Sequence, residues 1–196
     1  PEAGGPYEIK INQETVSDIL IGEVWIASGQ SNMQWALTQS ENFQDELPNA
    51  KDSDLRLFYV SRENADEPKK DVYGSWAACD STVAKTFSAV AYYFGKRLRA
   101  ELNIPIGIIH VSWGGSTIQA WMSPTALSTL ESGEYYQDKF DQAIANVKPG
   151  AIPRNHRTPS GLYNGMLKPI IPYGIKGAIW YQGESNRDRP DYYSEL

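Results

Sequence analysis

The chain has 196 residues, of which 41% are hydrophobic and 21% are charged, as is typical of one globular domain that can bury a core. A formal net charge of −6 argues against a nucleic-acid-binding protein, which would be expected to carry a basic patch. The sequence contains no run of about 18 apolar residues, so no membrane span is predicted. Residues 1–20 lack the basic start and apolar core of a signal peptide, so the chain is expected to be cytosolic or already processed.

The first predicted elements are two strands and a helix. Residues 7–11 alternate like a half-exposed strand, and residues 1–18 are interpreted as the tail of a preceding β module or as an edge strand. Residues 19–27 form an apolar run rich in Ile, Val and Trp, which predicts a buried strand. The small residues at 28–30 then predict a sharp turn, and residues 31–37 predict the first turns of a helix.

The rest of the chain alternates apolar strands with helices. This alternation predicts an α/β fold with a parallel, doubly wound sheet that carries helices on both faces. Residues 76–79 are too short to classify, and residues 149–159 predict a loop with three prolines. The predicted strands are residues 54–60, 104–111 and 175–181, and the predicted helices are residues 88–102, 124–130, 135–147, 162–170 and 190–196.

Ser31 lies at the predicted junction between a strand and a helix. A serine in this position has its hydroxyl raised above the sheet edge and its amide where developing negative charge is favoured. The position therefore suits a nucleophile, although a serine there can equally be a helix N-cap. The nucleophile elbow G-x-S-x-G of α/β-hydrolases is not matched, because Met33 stands where its second glycine would be.

Small polar clusters follow three of the predicted strands. Since the carboxyl ends of parallel strands share one edge of a sheet, these clusters can converge on one crevice. Ester hydrolysis needs a nucleophile and hydrogen-bond donors for the oxyanion. The backbone amides of Ser31 and Gly115, with an amide side chain from Gln182 or Asn186, are the candidate donors. Taken singly, each cluster is also compatible with an ordinary tight turn or loop. The clusters are residues 29–32, 114–116 and 182–186.

Four segments together resemble the sialate O-acetylesterase family, which is related to the acetylxylan esterases within the SGNH hydrolases. The segments are residues 22–33, 111–116 with Ala120 and Trp121, 162–166, and 179–186. The resemblance runs from about residue 19 to the end of the chain. It implies a sheet of SGNH-hydrolase, flavodoxin-like type and a serine esterase that removes O-acetyl groups from carbohydrate through an acyl-serine intermediate. O-acetylated sialic acid is the favoured substrate, and the alternatives are acetylxylan and a non-catalytic carbohydrate-binding domain.

The resemblance also assigns roles to residues. It implies that Ser31 is the nucleophile and that Gly115 is an oxyanion donor. In the broader superfamily the third donor is an asparagine two residues after a glycine, where this chain has Ser185. Gln182 is therefore the first choice for the third donor, and Asn186 is the second.

The catalytic base expected from the resemblance is missing. The family places an Asp-x-x-His arrangement near the end of the domain, and this chain stops at Leu196 without one. Residues 19–196 are therefore interpreted as an esterase domain truncated at its C-terminus, lacking the Asp/His segment and catalytically incomplete. Of the two histidines, His110 is expected to be structural, because it lies in or at the end of a buried strand. His156 is expected to bind substrate or to lie on the surface, since no carboxylate at a suitable spacing would orient it.

The expected ligand is an O-acetylated glycan. Gln30, Asn32, Trp113, Glu184 and His156 are the candidate substrate-binding residues, while Trp35, Trp113 and Trp121 could stack on sugar rings or pack in the core. No metal or other cofactor is expected, because Cys79 is the single cysteine and no phosphate-binding loop occurs. Cys79 itself is expected to be a buried small hydrophobe. No nucleic-acid or membrane partner is expected, and the oligomeric state stays open. A secreted, periplasmic or lysosomal location is implied by the resemblance alone.

Overall fold

Seven strands form two sheets in the computed structural model, which describes residues 2–146 and 155–196. Strands β1 (Gly4–Ile11) and β2 (Glu14–Ile21) pair only with each other, antiparallel, within these described ranges. The other strands build a five-stranded sheet in the order β5-β4-β6-β3-β7. They are β3 (Glu23–Gly29), β4 (Asp52–Tyr59), β5 (Trp76–Cys79), β6 (Ile106–Ser112) and β7 (Gly177–Tyr181).

The predicted fold class is confirmed, since β4, β6, β3 and β7 run parallel and helices cover the sheet. Strand β5 is antiparallel to β4 and closes one edge. In a flavodoxin sheet the first strand along the chain lies between the second and the third. In this sheet the first strand is β3 and the second is β4, and β6 lies between them. The described helices are α1 (Ser31–Gln34), α2 (Phe43–Glu46), α3 (Ser81–Ala84), α4 (Ala89–Leu102), α5 (Pro124–Leu127), α6 (Glu131–Ala145) and α7 (Pro190–Tyr193).

Strand β6 shows how the core is divided between the two faces of the sheet. Its side chains alternate, so Ile106 and Ile108 pack in one buried cluster and Ile109 and Val111 pack in another. The first cluster includes residues of α4, whose N-cap Ser88 accepts a hydrogen bond from the amide of Ala91. Burial on both faces explains why β6 is apolar almost throughout. No described helix is both long and apolar enough to cross a bilayer.

The predicted strand over residues 19–27 is wrong in extent, because Gly22 divides it. The residues before Gly22 belong to β2, and β3 begins at Glu23. A Cβ atom added to Gly22 would lie 1.9 Å from the carbonyl oxygen of Pro105, which also accepts a hydrogen bond from Glu23 N at 3.1 Å. The chain therefore passes too close to its neighbour at this point for any side chain. The domain boundary near residue 18 stays a prediction.

Strand β7 was predicted to be buried, and this prediction is wrong. It is the edge strand of the sheet, with Trp180 44% exposed and Tyr181 49% exposed. Residues 76–79, which the sequence left unclassified, form the opposite edge strand β5. Cys79 at its end is buried, as expected, and burial raises the pKa of its thiol to about 11.

Several predicted helices begin or end elsewhere. The helix from Ser31 ends at Gln34, because Trp35 leaves the helical conformation and Ala36 forms a β-bridge with Ser88. Helix α5 is three residues shorter than the predicted 124–130, and α6 begins at Glu131 rather than at residue 135. Residues 147–154, which include the last residue of that predicted helix and part of the predicted loop, lie outside the described residues. Residues 163–167 form a π-helical turn followed by a 3₁₀ turn at Lys168–Ile170.

Candidate active site

The loops that follow β3, β6 and β7 meet at one edge of the sheet, as the sequence predicted. Gln30 N donates to Tyr181 O at 3.0 Å, and Trp113 N donates to Gly29 O at 3.2 Å, so both neighbouring strands are tied to the end of β3. The loops surround an open pocket of about 370 Å³. Its lining residues are Gln30, Ser31, Gly115, Arg157, Glu184, Ser185, Arg187 and Asp188.

Ser31 is the first residue of α1 and is half-buried in this pocket. The turn into α1 begins at Gly29, whose φ of 141° is in the region that favours glycine. The N-cap of α1 is Gln30, so the alternative that Ser31 is itself the helix cap is wrong. The hydroxyl of Ser31 makes no hydrogen bond to the part of the chain that the structure describes. It is therefore available to a ligand in the pocket.

Backbone amides on two of the loops at the pocket also have no hydrogen-bond acceptor within the described residues. They include those of Ser31 and Gly115, whereas Gly114 N donates to Gln34 Oε1 at 2.6 Å and Ser116 N donates to Trp113 O at 3.2 Å. The two loops lie close together, since a Cβ atom added to Gly114 would be 3.6 Å from Ser31 Cα. This pair of amides is chemically suited to hold an oxyanion.

The side chains chosen for the third oxyanion donor are engaged elsewhere. Asn186 is only 4% exposed; its Nδ2 donates to Gln119 Oε1 at 3.0 Å and its Oδ1 accepts from Ile118 N at 2.9 Å. Gln182 Nε2 donates both to Ser116 O at 3.2 Å and to Asn186 Oδ1 at 2.9 Å. Both N–H groups of Gln182 are therefore occupied, whereas Asn186 keeps one N–H but is buried. The assignment of a third oxyanion donor stays a prediction. In this arrangement both residues connect the loops.

We expect Asn186→Ala to lower the free energy of unfolding by about 2 kcal/mol or more, because it leaves the buried amide of Ile118 and the side chain of Gln119 without partners. Urea unfolding followed by tryptophan fluorescence measures this change. The control is Asn146→Ala, which removes a bond to Gln142 O on the exposed end of α6. A variant of undiminished stability that lost only ester turnover would instead identify Asn186 as an oxyanion donor.

Glutamine side chains complete the connections between the loops. Gln30 is 3% exposed, and its Oε1 accepts from Gly183 N at 3.2 Å and from Ser185 N at 3.1 Å. Gln30 was predicted to bind substrate. In the structure its side-chain oxygen holds the loop that follows β7. Gln34 and Gln119 were not predicted. Only for Gln34 did the sequence contain a usable pattern: Gln34 follows Ser31 by one helical turn, so the two side chains lie on the same face of the predicted helix.

The other predicted substrate-binding residues are distributed around the site. Asn32 is exposed and lines a neighbouring groove with Trp35, which is 48% exposed. Glu184 is exposed in the pocket, whereas Trp113 is half-buried and is not among the residues that line it. Trp121 is 5% exposed, and its Nε1 donates to Ser116 Oγ at 2.8 Å, so it packs in the core and offers no face to a sugar.

His156 contacts the glycine loop of the pocket. A Cβ atom added to Gly115 would lie 3.0 Å from His156 Nε2, and the imidazole lies 6.1 Å from the ring centre of Trp113. Partial burial, followed by the charge of Arg157, lowers the pKa of His156. No hydrogen bond or ion pair joins it to a carboxylate among residues 2–146 and 155–196. Its role as a substrate contact stays a prediction.

His110 is sealed in the core between the rings of Tyr59 and Phe87. Its Nε2 lies 2.7 Å from Ser112 Oγ, and its Nδ1 is buried without a hydrogen-bond partner in the described chain. Burial, followed by the charge of Arg62, lowers its pKa to about 4. His110 is structural, as expected, although one of its nitrogens is unsatisfied.

A lowered histidine pKa makes folding sensitive to acid. The unfolded chain binds the proton at pH values below its pKa of 6.5, while the folded chain resists protonation until about pH 4. Stability is therefore lost as pH falls between these values, by about 1.4 kcal/mol per pH unit. We expect the unfolding free energy of His110→Gln to depend less on pH than that of the unchanged protein. Urea titrations from about pH 7.5 to about pH 4.5 test this; parallel pH profiles would contradict it.

The chain matches a known protein family over most of its length. The family model for carbohydrate esterases described as sialic acid-specific acetylesterases matches residues 21–196. The chain belongs to this family. It is similar to the sialate O-acetylesterase of Homo sapiens, with 35% identity over 93% of this chain and 36% of the human protein. It is also similar to that of Rattus norvegicus, with 32% identity over 93% of this chain and 40% of the rat protein.

A solved structure of the same class shares the fold. The crystal structure of a carbohydrate acetylesterase from Xanthomonas citri matches with a TM-score of 0.76 and 37% sequence identity. The match covers 94% of this chain and 39% of the Xanthomonas protein. This member of the acetylesterase family thus spans less than half the length of the relatives it matches.

Proposed function

We propose that this acetylesterase family member is a serine esterase that removes O-acetyl groups from sialic acid. Ser31 is the nucleophile, and the backbone amides of Ser31 and Gly115 are oxyanion donors. The observation that supports this most directly is the unengaged Ser31 hydroxyl, which lies in an open pocket with two unengaged amides. The specificity of the family for sialic acid supports the choice of sugar.

The proposed reaction transfers the acetyl group from the sugar oxygen to Ser31 and then from Ser31 to water. Ser31 Oγ attacks the acetyl carbonyl carbon and gives up its proton to a base, for which the resemblance implies a histidine oriented by an aspartate. The carbonyl electron pair moves onto the oxygen. The Ser31 and Gly115 amides donate hydrogen bonds to that oxyanion. Its collapse expels the sugar oxygen, which takes up a proton, and leaves acetyl-serine. Water then releases acetate. His110 is excluded as the base by its burial in the core.

Labelling with a fluorophosphonate probe tests the nucleophile. The probe reacts with activated serines, and mass mapping is expected to place the adduct on the peptide that contains Ser31. Labelling of another serine, or none while O-acetylated sialic acid is hydrolysed, would overturn the proposal.

Two alternatives give different results in a companion assay. Acetate release from O-acetylated sialosides is expected to exceed release from acetylxylan. The reverse preference would favour an acetylxylan esterase. Glycan binding without acetate release or labelling would favour a non-catalytic binding domain.

A further inference from the structure

Arg157 places a guanidinium group at the pocket beside the glycine loop. Its Nε donates to Gly115 O at 3.1 Å, and its own backbone N donates to Asn155 Oδ1 at 2.8 Å. The residue lines the same pocket as Ser31 and is exposed to solvent there. One N–H of the guanidinium is therefore occupied, and the other N–H groups stay available to a ligand.

The charge of Arg157 is not neutralised by an ion pair within residues 2–146 and 155–196. No ion pair joins it to a carboxylate of the described residues, in contrast with Arg56, Arg99 and Arg189, which all pair with aspartates. An unpaired arginine is notable in a chain whose net charge is −6. The pocket's other cation, Arg187, lies 3.9 Å from Asp188 in a pair whose side chains are 78% and 94% exposed.

The pocket is also asymmetric in charge. Arg157 is held on the side of the Gly115 loop, while the loop that follows β7 carries Glu184, Arg187 and Asp188 and so has a net negative charge. A ligand with one carboxylate and several hydroxyls would be attracted at the first side. At the second side it could donate hydroxyl hydrogen bonds to carboxylates, which would repel a second anion.

We infer that Arg157 binds the carboxylate of an acidic sugar and thereby selects O-acetylated sialic acid over neutral acetylated sugars at this site. The inference rests on the proposed function and names the group that would give it its substrate preference. A guanidinium matches a carboxylate through two parallel hydrogen bonds, which an uncharged pentose cannot form. Through Gly115 O, the same side chain fixes the position of this carboxylate relative to an oxyanion donor.

The test compares binding of N-acetylneuraminic acid with binding of its methyl ester, by ligand-observed NMR titration of the unchanged protein, Arg157→Gln and Arg157→Lys. The unchanged protein is expected to bind the acid about 10-fold more tightly than the ester, as for a charged hydrogen bond. Arg157→Gln is expected to remove that preference, and Arg157→Lys to restore part of it. Arg97→Gln is the control, since Arg97 is exposed on α4 and pairs with Glu101.

A purely structural role for Arg157 would weaken binding of the acid and of the ester by the same factor, and that result would overturn the inference. Equal affinity of the unchanged protein for the two ligands would also overturn it. Because the titration measures binding and not turnover, its outcome is independent of Ser31 labelling. A retained carboxylate preference would support Arg157. If a form of the protein that carries the implied Asp and His were also not labelled, the hydrolase proposal would be refuted while the inference on Arg157 stood.

Discussion

Replacing Ser31 by alanine is expected to lower kcat for hydrolysis of an O-acetylated sialoside by about 10⁴-fold or more, when the protein carries the catalytic Asp and His that the resemblance implies. The substitution removes the attacking oxygen and leaves only the amides of Ser31 and Gly115 to stabilise a transition state formed with water. Folding is expected to be unaffected, because the Ser31 hydroxyl has no hydrogen bond to a described residue and is half-buried. Acetate release and the melting temperature, measured on the same preparation, separate these effects.

Ser128→Ala is a matched control for the loss of a serine hydroxyl. Ser128 caps the end of α5 through a bond from its Oγ to Thr125 O and is exposed away from the pocket. Its turnover is expected to stay within about twofold of that of the unchanged protein, as for ordinary surface substitutions. Ser31→Ala with normal turnover and normal stability would refute the assignment of the nucleophile.

Gly29→Ala is expected to destabilise the protein by about 3 kcal/mol or more. Gly29 has a φ of 141°, and a Cβ atom added there would lie 2.1 Å from the carbonyl oxygen of Tyr181. That oxygen accepts the hydrogen bond of Gln30 N, so β7 would have to move away from the end of β3. We also expect labelling of Ser31 to be lost, because the turn that presents it would be displaced.

Urea unfolding measures this loss, and Gly174→Ala provides the control. Gly174 has no heavy atom within 4 Å of an added Cβ and has no positive φ. Its substitution is expected to change stability by less than about 0.5 kcal/mol. If Gly29→Ala were as stable as Gly174→Ala, that result would contradict the conclusion that the ends of β3 and β7 are in close contact.

Periodicity and apolar runs predicted most of the sheet but not its edges. β6 and α4 were predicted nearly in full, because burial on both faces and an amphipathic face each leave a strong local pattern. The division of β2 from β3 depends on the contact between Gly22 and Pro105, which is distant in sequence. A tryptophan is apolar whether its strand lies at the edge or at the centre of a sheet. Composition therefore could not reveal that Trp180 is exposed.

The meeting of the three polar loops was predictable because parallel strands end at a common edge. Which amide bonds to which partner was not, since it depends on side-chain conformations that a motif does not encode. Asn186 and Gln182 were recognised as belonging to the site, but their hydrogen bonds connect loops instead of facing the pocket. Arg157 was missed because its partner Gly115 lies 42 positions earlier in the chain.

The three loops that follow β3, β6 and β7 are connected to one another through neutral amide groups, namely those of Gln30, Gln34, Gln119, Gln182 and Asn186. None of these groups titrates, and bonds between uncharged partners respond weakly to ionic strength. Above the acidic range in which His110 takes up a proton, the shape of the pocket should therefore be the same in dilute buffer and in concentrated salt. Rate changes with pH or salt in that range would then report on the reacting groups and on the charge of the sugar, and kinetic profiles could be interpreted without allowing for a changing scaffold.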